Sequence, residues 1–137
     1  MTPRIVFDTN LWVAAAGWRG VAHHLYRQLL AGRVVHLTTH EILAEIGRTL
    51  RYLPGFTDVL AYEWYCDIAA HSEIISPQFS LLDRIRICRD PNDNKFLECA
   101  VWGHAEYLIS RDRDLLSIAD FRGVQIMSPE RLLALLR

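Results

Sequence analysis

Two short apolar segments that each lead into an aspartate constrain the fold of this chain more than any other feature. Arg4–Phe7 is followed at once by Asp8, and Tyr107–Ile109 is followed, after two polar residues, by Asp112. Short and nearly continuous apolar runs are typical of parallel strands that are covered on both faces. Because the carboxyl ends of such strands line the crevice in which an open α/β sheet binds ligands, we expect both aspartates to lie at one crevice.

Strand-like segments alternate with helical ones along the rest of the sequence. Three further strands are predicted, at residues 34–37, 73–75 and 124–127. The predicted helices cover residues 11–16, 21–31, 38–53, 57–71, 93–102 and 128–136, and residues 77–91 are predicted to be irregular. Strands that alternate with helices favour right-handed crossovers and a mostly parallel sheet. We therefore predict an α/β fold, a three-layer α/β/α sandwich with a five-stranded sheet, in a single domain that spans residues 1–137.

Two helix starts carry clear capping signals. Thr38 with Glu41 three residues later has the form of a capping box, in which each side chain binds a backbone N–H group of the first turn. Ser128 followed by Pro129 predicts the start of the last helix, because proline is well accommodated at the first helical position.

The composition excludes several classes of protein. Hydrophobic residues make up 51% of the chain, which argues against disorder, and a net charge of −1 argues against binding nucleic acid by overall charge alone. Three cysteines without a CxxC spacing indicate a reduced, cytoplasmic protein. We expect no signal peptide and no membrane contact, because no apolar run reaches the roughly 20 residues of a membrane-spanning helix. Lys95 is the only lysine among 15 basic residues, and arginine holds phosphate with a planar fork of donors.

Three more acids stand at the edges of predicted helices. Glu45 lies at the margin of the apolar stripe of its helix, so its carboxylate can face a cleft. Asp93 falls in the first turn of its helix, near the positive end of the helix dipole, and Asp90 stands shortly before it. Each acid also has a plainer explanation, since aspartates commonly cap helices and Glu45 could form an exposed ion pair with Arg48 or Arg51.

The acids are harder to explain as a group than one at a time. Carboxylates that gather in one place repel one another and raise each other's pKa. A fold keeps such a cluster when a divalent cation neutralises it, and hard divalent cations prefer oxygen ligands. The acids that we expect to meet are Asp8, Glu45, Asp90, Asp93 and Asp112. Asn10 and Ser110 could hold these carboxylates in position, and phosphate-binding arginines could be Arg89, Arg111 and Arg113.

The order of these motifs resembles that of PIN-domain ribonucleases over essentially the whole chain. The segments that carry the resemblance are Phe7-Asp8-Thr9-Asn10, Ile42-Leu43-Ala44-Glu45-Ile46, Asp93-Asn94-Lys95-Phe96-Leu97-Glu98-Cys99-Ala100 and Leu108-Ile109-Ser110-Arg111-Asp112. The form Asp90-Pro91-Asn92-Asp93 is similar to that of a branch of toxin components of type II toxin–antitoxin systems. Ser110 departs from the family pattern, in which threonine is usual, but both residues offer a hydroxyl group.

The resemblance implies a strand order of 3-2-1-4-5 and a metal-dependent endoribonuclease. It implies that Mg²⁺ or Mn²⁺, as one or two ions, is held by the catalytic acids Asp8, Glu45, Asp93 and Asp112, with Asp90 as an additional acid of the branch. The expected products carry a 5′-phosphate and a 3′-hydroxyl group. The expected partners are a single-stranded or looped RNA substrate, a cognate antitoxin protein and a second copy of the chain in a homodimer.

Other functions remain open at this stage. The chain could be a catalytically silent module that binds RNA or an antitoxin through a weak or occluded metal site. A phosphoacceptor domain of the response-regulator type would need an aspartate after the third strand and a lysine after the fifth, and neither is present. The six histidines show neither an HExxH motif nor a clustered Cys/His spacing, which argues against a zinc enzyme. A flap-type DNA nuclease would keep the same acids but normally has a far longer chain.

Overall fold

The computed structural model describes residues 2–78 and 84–137, so residues 79–83 of the segment predicted to be irregular lie outside the described residues. The strands are β1 (Arg4–Phe7), β2 (Val35–Thr38), β3 (Ser72–Ile74), β4 (Tyr107–Ile109), β5 (Asp120–Phe121) and β6 (Val124–Met127). The helices are α1 (Thr9–Gly17), α2 (Val21–Leu30), α3 (His40–Arg51), α4 (Asp58–Ala70), α5 (Asn94–Trp102), α6 (Arg113–Ile118) and α7 (Pro129–Leu135).

The strands form one sheet in the order β3-β2-β1-β4-β6-β5, in which β5 alone is antiparallel to its neighbour. The predicted α/β fold and the predicted order of its five strands are confirmed. The chain proceeds from β1 outward to β2 and β3, and it returns to pair β4 with the other side of β1. This reversal makes the gap between the carboxyl ends of β1 and β4 the topological switch point, where open α/β sheets bind their ligands.

The sixth strand was not predicted. Asp120–Phe121 pairs with β6 through a hairpin whose two loop residues, Arg122 and Gly123, have φ angles of 49° and 86°. Positive φ at both loop positions is typical of the two-residue hairpin turns that match strand twist. A strand of two residues is too short for its alternation to be visible in the sequence, so Gly123 was the one local signal for it.

Two predicted helix starts shift by one residue. Thr38 pairs with Ile74 as the last residue of β2, and the hydroxyl group of Thr39 instead accepts a hydrogen bond from the Ile42 N–H group at 3.1 Å. The predicted capping box at Thr38 is therefore wrong, because the sheet extends one residue further than expected. Asp93 closes a 3₁₀ turn that begins at Pro91, and α5 starts after it.

The core lies between the sheet and its helices. Strands β1, β2 and β4 contribute residues that are almost fully buried, including Val6, Leu37 and Leu108. Helix α5 is buried on nearly all sides from Asn94 to Ala100, which explains why polar residues in this helix have defined partners. None of the helices within residues 2–78 and 84–137 combines the length and apolar content that crossing a bilayer requires.

Candidate functional site

Five acidic residues line one cavity of about 180 Å³ at the carboxyl ends of β1 and β4. We call this cavity the acid cleft, and its lining residues are Asp8, Thr9, Asn10, Glu45, Asp90, Asn92, Asp93, Phe96 and Asp112. The acids come from four separate parts of the chain, and the switch point of the sheet brings them to one place. The acids singled out in the sequence therefore do share a cavity.

Three of the acids in the acid cleft also cap a helix or a turn. One carboxylate oxygen of Asp8, of Asp90 and of Asp112 accepts a hydrogen bond from a backbone N–H group two or three residues later. The donors are Leu11 at 2.9 Å, Asn92 at 3.0 Å and Asp114 at 2.9 Å. A cap uses one oxygen of a carboxylate and leaves the other for a further partner. The plainer explanation of these aspartates and the functional one are thus compatible, and capping holds each carboxylate in place.

Ser110 joins the ends of the two central strands. Its side chain is fully buried, and its hydroxyl group donates a hydrogen bond of 2.5 Å to Asp8 Oδ2. The Ser110 hydroxyl oxygen in turn accepts a hydrogen bond of 2.9 Å from the Asp112 N–H group. Ser110 occupies this position because β1 and β4 pair with Phe7 opposite Ile109, so that the next residues along both strands meet. One hydroxyl group therefore fixes the relative position of Asp8 and Asp112.

Burial and mutual repulsion oppose full ionisation of the acid cleft. Burial raises the pKa of Asp8, and the charges of Asp112 and Glu45 add to this effect, while the hydrogen bonds from Ser110 and the Leu11 N–H group act against it. Burial also raises the pKa of Asp93 to about 6, aided by a hydrogen bond to Asp112 and by the surrounding carboxylates. The Asp93 carboxyl group therefore takes up a proton near pH 6.

Glu45 has two partners that the sequence analysis missed. Its Oε2 atom lies 2.7 Å from Lys95 Nζ, and its Oε1 atom accepts a hydrogen bond of 3.2 Å from Asn92 Nδ2. The contact with Lys95 is an ion pair rather than a well-aligned hydrogen bond. The partners weighed for Glu45 from the sequence were Arg48 and Arg51, but Arg51 approaches Asp58 at 3.5 Å. Lys95 carried one available signal, since it is the only lysine of the chain and stands two residues after the 3₁₀ turn Pro91–Asp93, which we call the acidic turn.

The chemistry of the acid cleft fits a hard divalent cation. Every charged group that lines it is a carboxylate, and the neutral polar groups there are hydroxyl and amide groups. The Thr9 hydroxyl oxygen is buried and has no hydrogen-bond partner among the described residues, so it can bind a further oxygen-containing group. Within residues 2–78 and 84–137, however, no three His, Cys, Asp or Glu side chains are gathered closely enough to hold a metal ion. A divalent cation that bound here would have to draw the carboxylates closer together, and its charge would offset their mutual repulsion.

A second cavity of about 300 Å³ adjoins the acid cleft. The two cavities share Asp8, Asn10 and Asp112, and the second adds Leu11, Ala14 and Arg111. Asn10 is exposed at this boundary and is positioned by the first turn of α1. The shared wall means that a chain-like ligand could pass from one cavity to the other along the aspartates.

The three arginines singled out in the sequence lie at the surface around these cavities. Arg111 Nη1 is 2.8 Å from Glu130 Oε1, and both side chains are about half exposed. Arg89 has a long contact of 3.9 Å with Asp114 and is otherwise exposed, and Arg113 is the exposed first residue of α6. Exposed ion pairs of this kind are weak, so phosphate groups could displace the carboxylates.

Cysteine chemistry is not available beside the acid cleft. Burial and the neighbouring carboxylates of Asp93, Asp112 and Asp90 raise the pKa of the Cys88 thiol to about 11. A nucleophilic cysteine needs a lowered pKa, because the thiolate is the reactive form.

Known proteins share both sequence and fold with this chain. A sequence model of the PIN domain matches residues 4–114. An uncharacterized protein of Methanocaldococcus jannaschii, MJ1680, is 28% identical over 124 residues, which cover 85% of this chain and 76% of the relative. The crystal structure of VapBC2 from Rickettsia felis, bound to a DNA fragment from their promoter, is 14% identical, with a TM-score of 0.64 and coverage of 91% of this chain and 98% of its own. The crystal structure of PAE2754 from Pyrobaculum aerophilum is 18% identical, with a TM-score of 0.64 and coverage of 98% and 89%.

Proposed function

Because this chain belongs to the PIN-domain family, as its motifs predicted, we propose that it is a Mg²⁺- or Mn²⁺-dependent endoribonuclease and the toxin of a toxin–antitoxin pair. The observation that supports the nuclease most directly is the acid cleft. Its acids converge at the switch point of the sheet, the pKa values of Asp8 and Asp93 are raised, and its charged groups are all carboxylates, which are the ligands that a hard divalent cation prefers.

The residues that would hold one or two such ions are Asp8, Glu45, Asp93 and Asp112, directly or through water, with Asp90 able to join. A bound cation would lower the pKa of a water molecule and offset charge on the phosphoryl oxygens. The chain contributes the positions of the carboxylates: Ser110 orients Asp8, and the helix caps at Asp8 and Asp112 restrict both side chains. Asp93, whose pKa is raised to about 6, would release its proton when the cation binds and would then carry a full negative charge.

The proposed substrate is single-stranded or looped RNA. The acid cleft is narrow, and the second cavity continues from it past Asn10 and Arg111, so a flexible backbone could bend through both. Unpaired strands have this flexibility, whereas a duplex is stiff and keeps its bases stacked. Arg111, Arg113 and Arg89 could bind the flanking phosphates with charge-assisted hydrogen bonds.

The proposed partners are an antitoxin and a second copy of the chain. The antitoxin is proposed because the similar structure from Rickettsia felis is a VapBC2 complex bound to promoter DNA. For the homodimer, helix α4 offers Val59 and Tyr62, which are 68% and 67% exposed. Trp64 of the same helix packs against Tyr26 with the ring centres 4.9 Å apart, so it belongs to the core side of the helix.

Metal-dependent cleavage of labelled RNA tests the nuclease proposal. Wild-type protein is incubated with single-stranded RNA in Mn²⁺, in Mg²⁺ and in EDTA, beside Asp8→Asn and the control Asp120→Asn. Asp120 is an exposed residue of β5 outside the acid cleft, so its variant should cleave like the wild type. Asp8→Asn should lose activity by about 100-fold or more, since even the partners of metal ligands are worth roughly 10–100-fold.

Three outcomes would contradict the proposal. Equal cleavage by wild type and Asp8→Asn would show that the activity does not come from the acid cleft. No cleavage of any RNA in either metal, by a folded protein that still binds RNA, would favour the alternative of a catalytically silent binding module. Equal cleavage of single-stranded DNA would reject RNA as the specific substrate class.

A further inference from the structure

Lys95 is a buried cation beside the acid cleft. Its side chain is 6% exposed, although a charged ammonium group loses strong hydration when it is buried. The ammonium group lies 2.7 Å from Glu45 Oε2 and donates a hydrogen bond of 2.7 Å to the backbone carbonyl oxygen of Asn92. It also lies 4.9 Å from the centre of the Phe96 ring. Lys95 is thus bound both to the Glu45 carboxylate of α3 and to the acidic turn that precedes α5.

Lys95 and Asn92 together occupy both oxygens of the Glu45 carboxylate. Asn92 Nδ2 donates to Oε1 at 3.2 Å while Lys95 faces Oε2. The Asn92 carbonyl oxygen in turn accepts from Lys95, so the three residues form a closed ring that links α3 to α5 through the 3₁₀ turn. Glu45 is the acid of the cleft that this ring restrains.

The restraint on Glu45 differs in kind from that on Asp8 and Asp112. The oxygens of Asp8 and Asp112 accept from neutral N–H and O–H groups, and a carboxylate can keep such bonds while it binds a cation. Glu45 instead faces a full positive charge at contact distance. A divalent ion that bound the same carboxylate directly would lie close to the ammonium group. The two positive charges would repel each other strongly, because a partly buried site screens charges weakly.

We propose that Lys95 is a positioning residue that, with Asn92, fixes the Glu45 carboxylate as a hydrogen-bond acceptor for water at the metal rather than as a direct metal ligand. This inference depends on the proposed function in one respect, namely that the acid cleft binds a divalent cation. The remaining acids, Asp8, Asp93 and Asp112, would then make the direct contacts. Lys95 also neutralises Glu45, which limits the repulsion that the other carboxylates experience.

Mn²⁺ affinity, measured by isothermal titration calorimetry on the full chain without RNA, separates the two roles of Glu45. Lys95→Met removes a positive charge near the cation and should tighten Mn²⁺ binding by about tenfold, and Glu45→Gln leaves Lys95 unbalanced and should weaken it by about tenfold. The double variant Lys95→Met/Glu45→Gln restores the wild-type charge. If Glu45 binds no metal directly, the affinity of this double variant should lie within about threefold of the wild type.

A second double variant is the matched control. Lys95→Met/Asp112→Asn has the same net charge as the wild type but lacks a carboxylate that we assign to direct contact. It should bind Mn²⁺ at least about tenfold more weakly than the wild type, because charge balance cannot replace a ligand. With saturating Mn²⁺ and RNA, the Glu45 double variant should still cleave at least about tenfold more slowly than the wild type, because the fixed acceptor is gone. A residue with a purely structural role would not separate metal affinity from turnover in this way.

The outcomes of the two proposals are distinct. Mn²⁺ binding by the Glu45 double variant that is more than tenfold weaker than wild type would overturn the inference about Lys95, whether or not RNA is cleaved. Affinities in the expected order with no RNA cleavage would reject the nuclease and leave the inference standing. A wild type that binds no Mn²⁺ overturns the inference. If Lys95→Met alone does not fold, the two double variants decide. In each of them the loss of the Lys95 charge is balanced by the loss of one carboxylate charge, from Glu45 or from Asp112.

Discussion

The buried His36, whose ring contacts β1, α1 and β3, leads to a quantitative prediction of how the free energy of unfolding depends on pH. Its ring is fully buried, and Nε2 accepts hydrogen bonds of 3.3 Å from the Phe7 N–H group and from Trp12 Nε1. Its Nδ1 atom lies 2.7 Å from Ser72 Oγ, which donates its own proton to the Ile68 carbonyl oxygen at 2.6 Å. Nε2 must therefore be the acceptor and Nδ1 the donor, which is the neutral form of the ring.

The expected effect of pH on His36 has a definite sign. Burial lowers the pKa of His36 to about 3, against 6.5 for an exposed histidine. Below pH 6.5 the unfolded chain takes up a proton that the folded protein excludes, so the free energy of unfolding decreases as the pH is lowered. At pH 5 the loss relative to pH 7.5 is about 2 kcal/mol, from the protonation of a group with a pKa of 6.5 in the unfolded chain.

The acid cleft acts in the opposite direction. The pKa of Asp93 is raised to about 6, so the folded protein binds this proton more readily than the unfolded chain, and acidification through pH 6 stabilises the fold. The pH dependence of the wild type alone therefore mixes two opposing effects. A comparison between wild type and a His36 variant at each pH removes the contribution of Asp93, because both proteins carry it.

His36→Gln is the informative variant, because glutamine is neutral, polar and unable to titrate. At pH 7.5 it should be less stable than wild type by about 1–3 kcal/mol in urea unfolding, because hydrogen bonds of the ring are lost. At pH 5.0 this difference should shrink by about 2 kcal/mol, since only the wild type pays the cost of excluding a proton. His24→Gln, at an exposed position of α2, should show no such change. A stability difference for His36→Gln that is the same at both pH values would refute the reasoning.

Three further predictions concern the cleft and the sheet. Metal-free Asp8→Asn should melt at the same temperature as wild type or higher in differential scanning fluorimetry, because burial disfavours the Asp8 charge and asparagine also caps helices; a clear decrease would contradict this. Mn²⁺ affinity from calorimetry should fall by about tenfold from pH 7 to pH 5, because Asp93 with its pKa of about 6 must release a proton; a pH-independent affinity would exclude Asp93 as a ligand. Gly103→Ala should lower the free energy of urea unfolding by about 1–3 kcal/mol. The reason is that the new Cβ atom would lie 2.7 Å from Leu37 Cδ1 and 3.0 Å from the Cys99 carbonyl oxygen. An unchanged urea midpoint would contradict this and show that the packing around residue 103 can relax.

The sequence by itself determined where the main strands lie and which acids follow them, and its resemblance to PIN-domain ribonucleases supplied the strand order. Apolar periodicity reports which residues are buried, so β1 and β4 and the acids that follow them could be located from local pattern alone. Helix caps are equally local, which is why Thr57 and Ser128 were placed correctly as the starts of α4 and α7. Once a parallel sheet is expected, topology requires the carboxyl ends of its strands to share one edge.

Only the tertiary structure decided which side chains meet. Ser110 links Asp8 to Asp112 because of the register between β1 and β4, and a one-residue slip would turn its hydroxyl group to the other face of the sheet. Lys95 meets Glu45 because α3 and α5 are brought together over the acidic turn, and nothing in either local sequence specifies that distance. Contacts between distant elements depend on how whole helices and strands pack, which local propensity and periodicity do not encode.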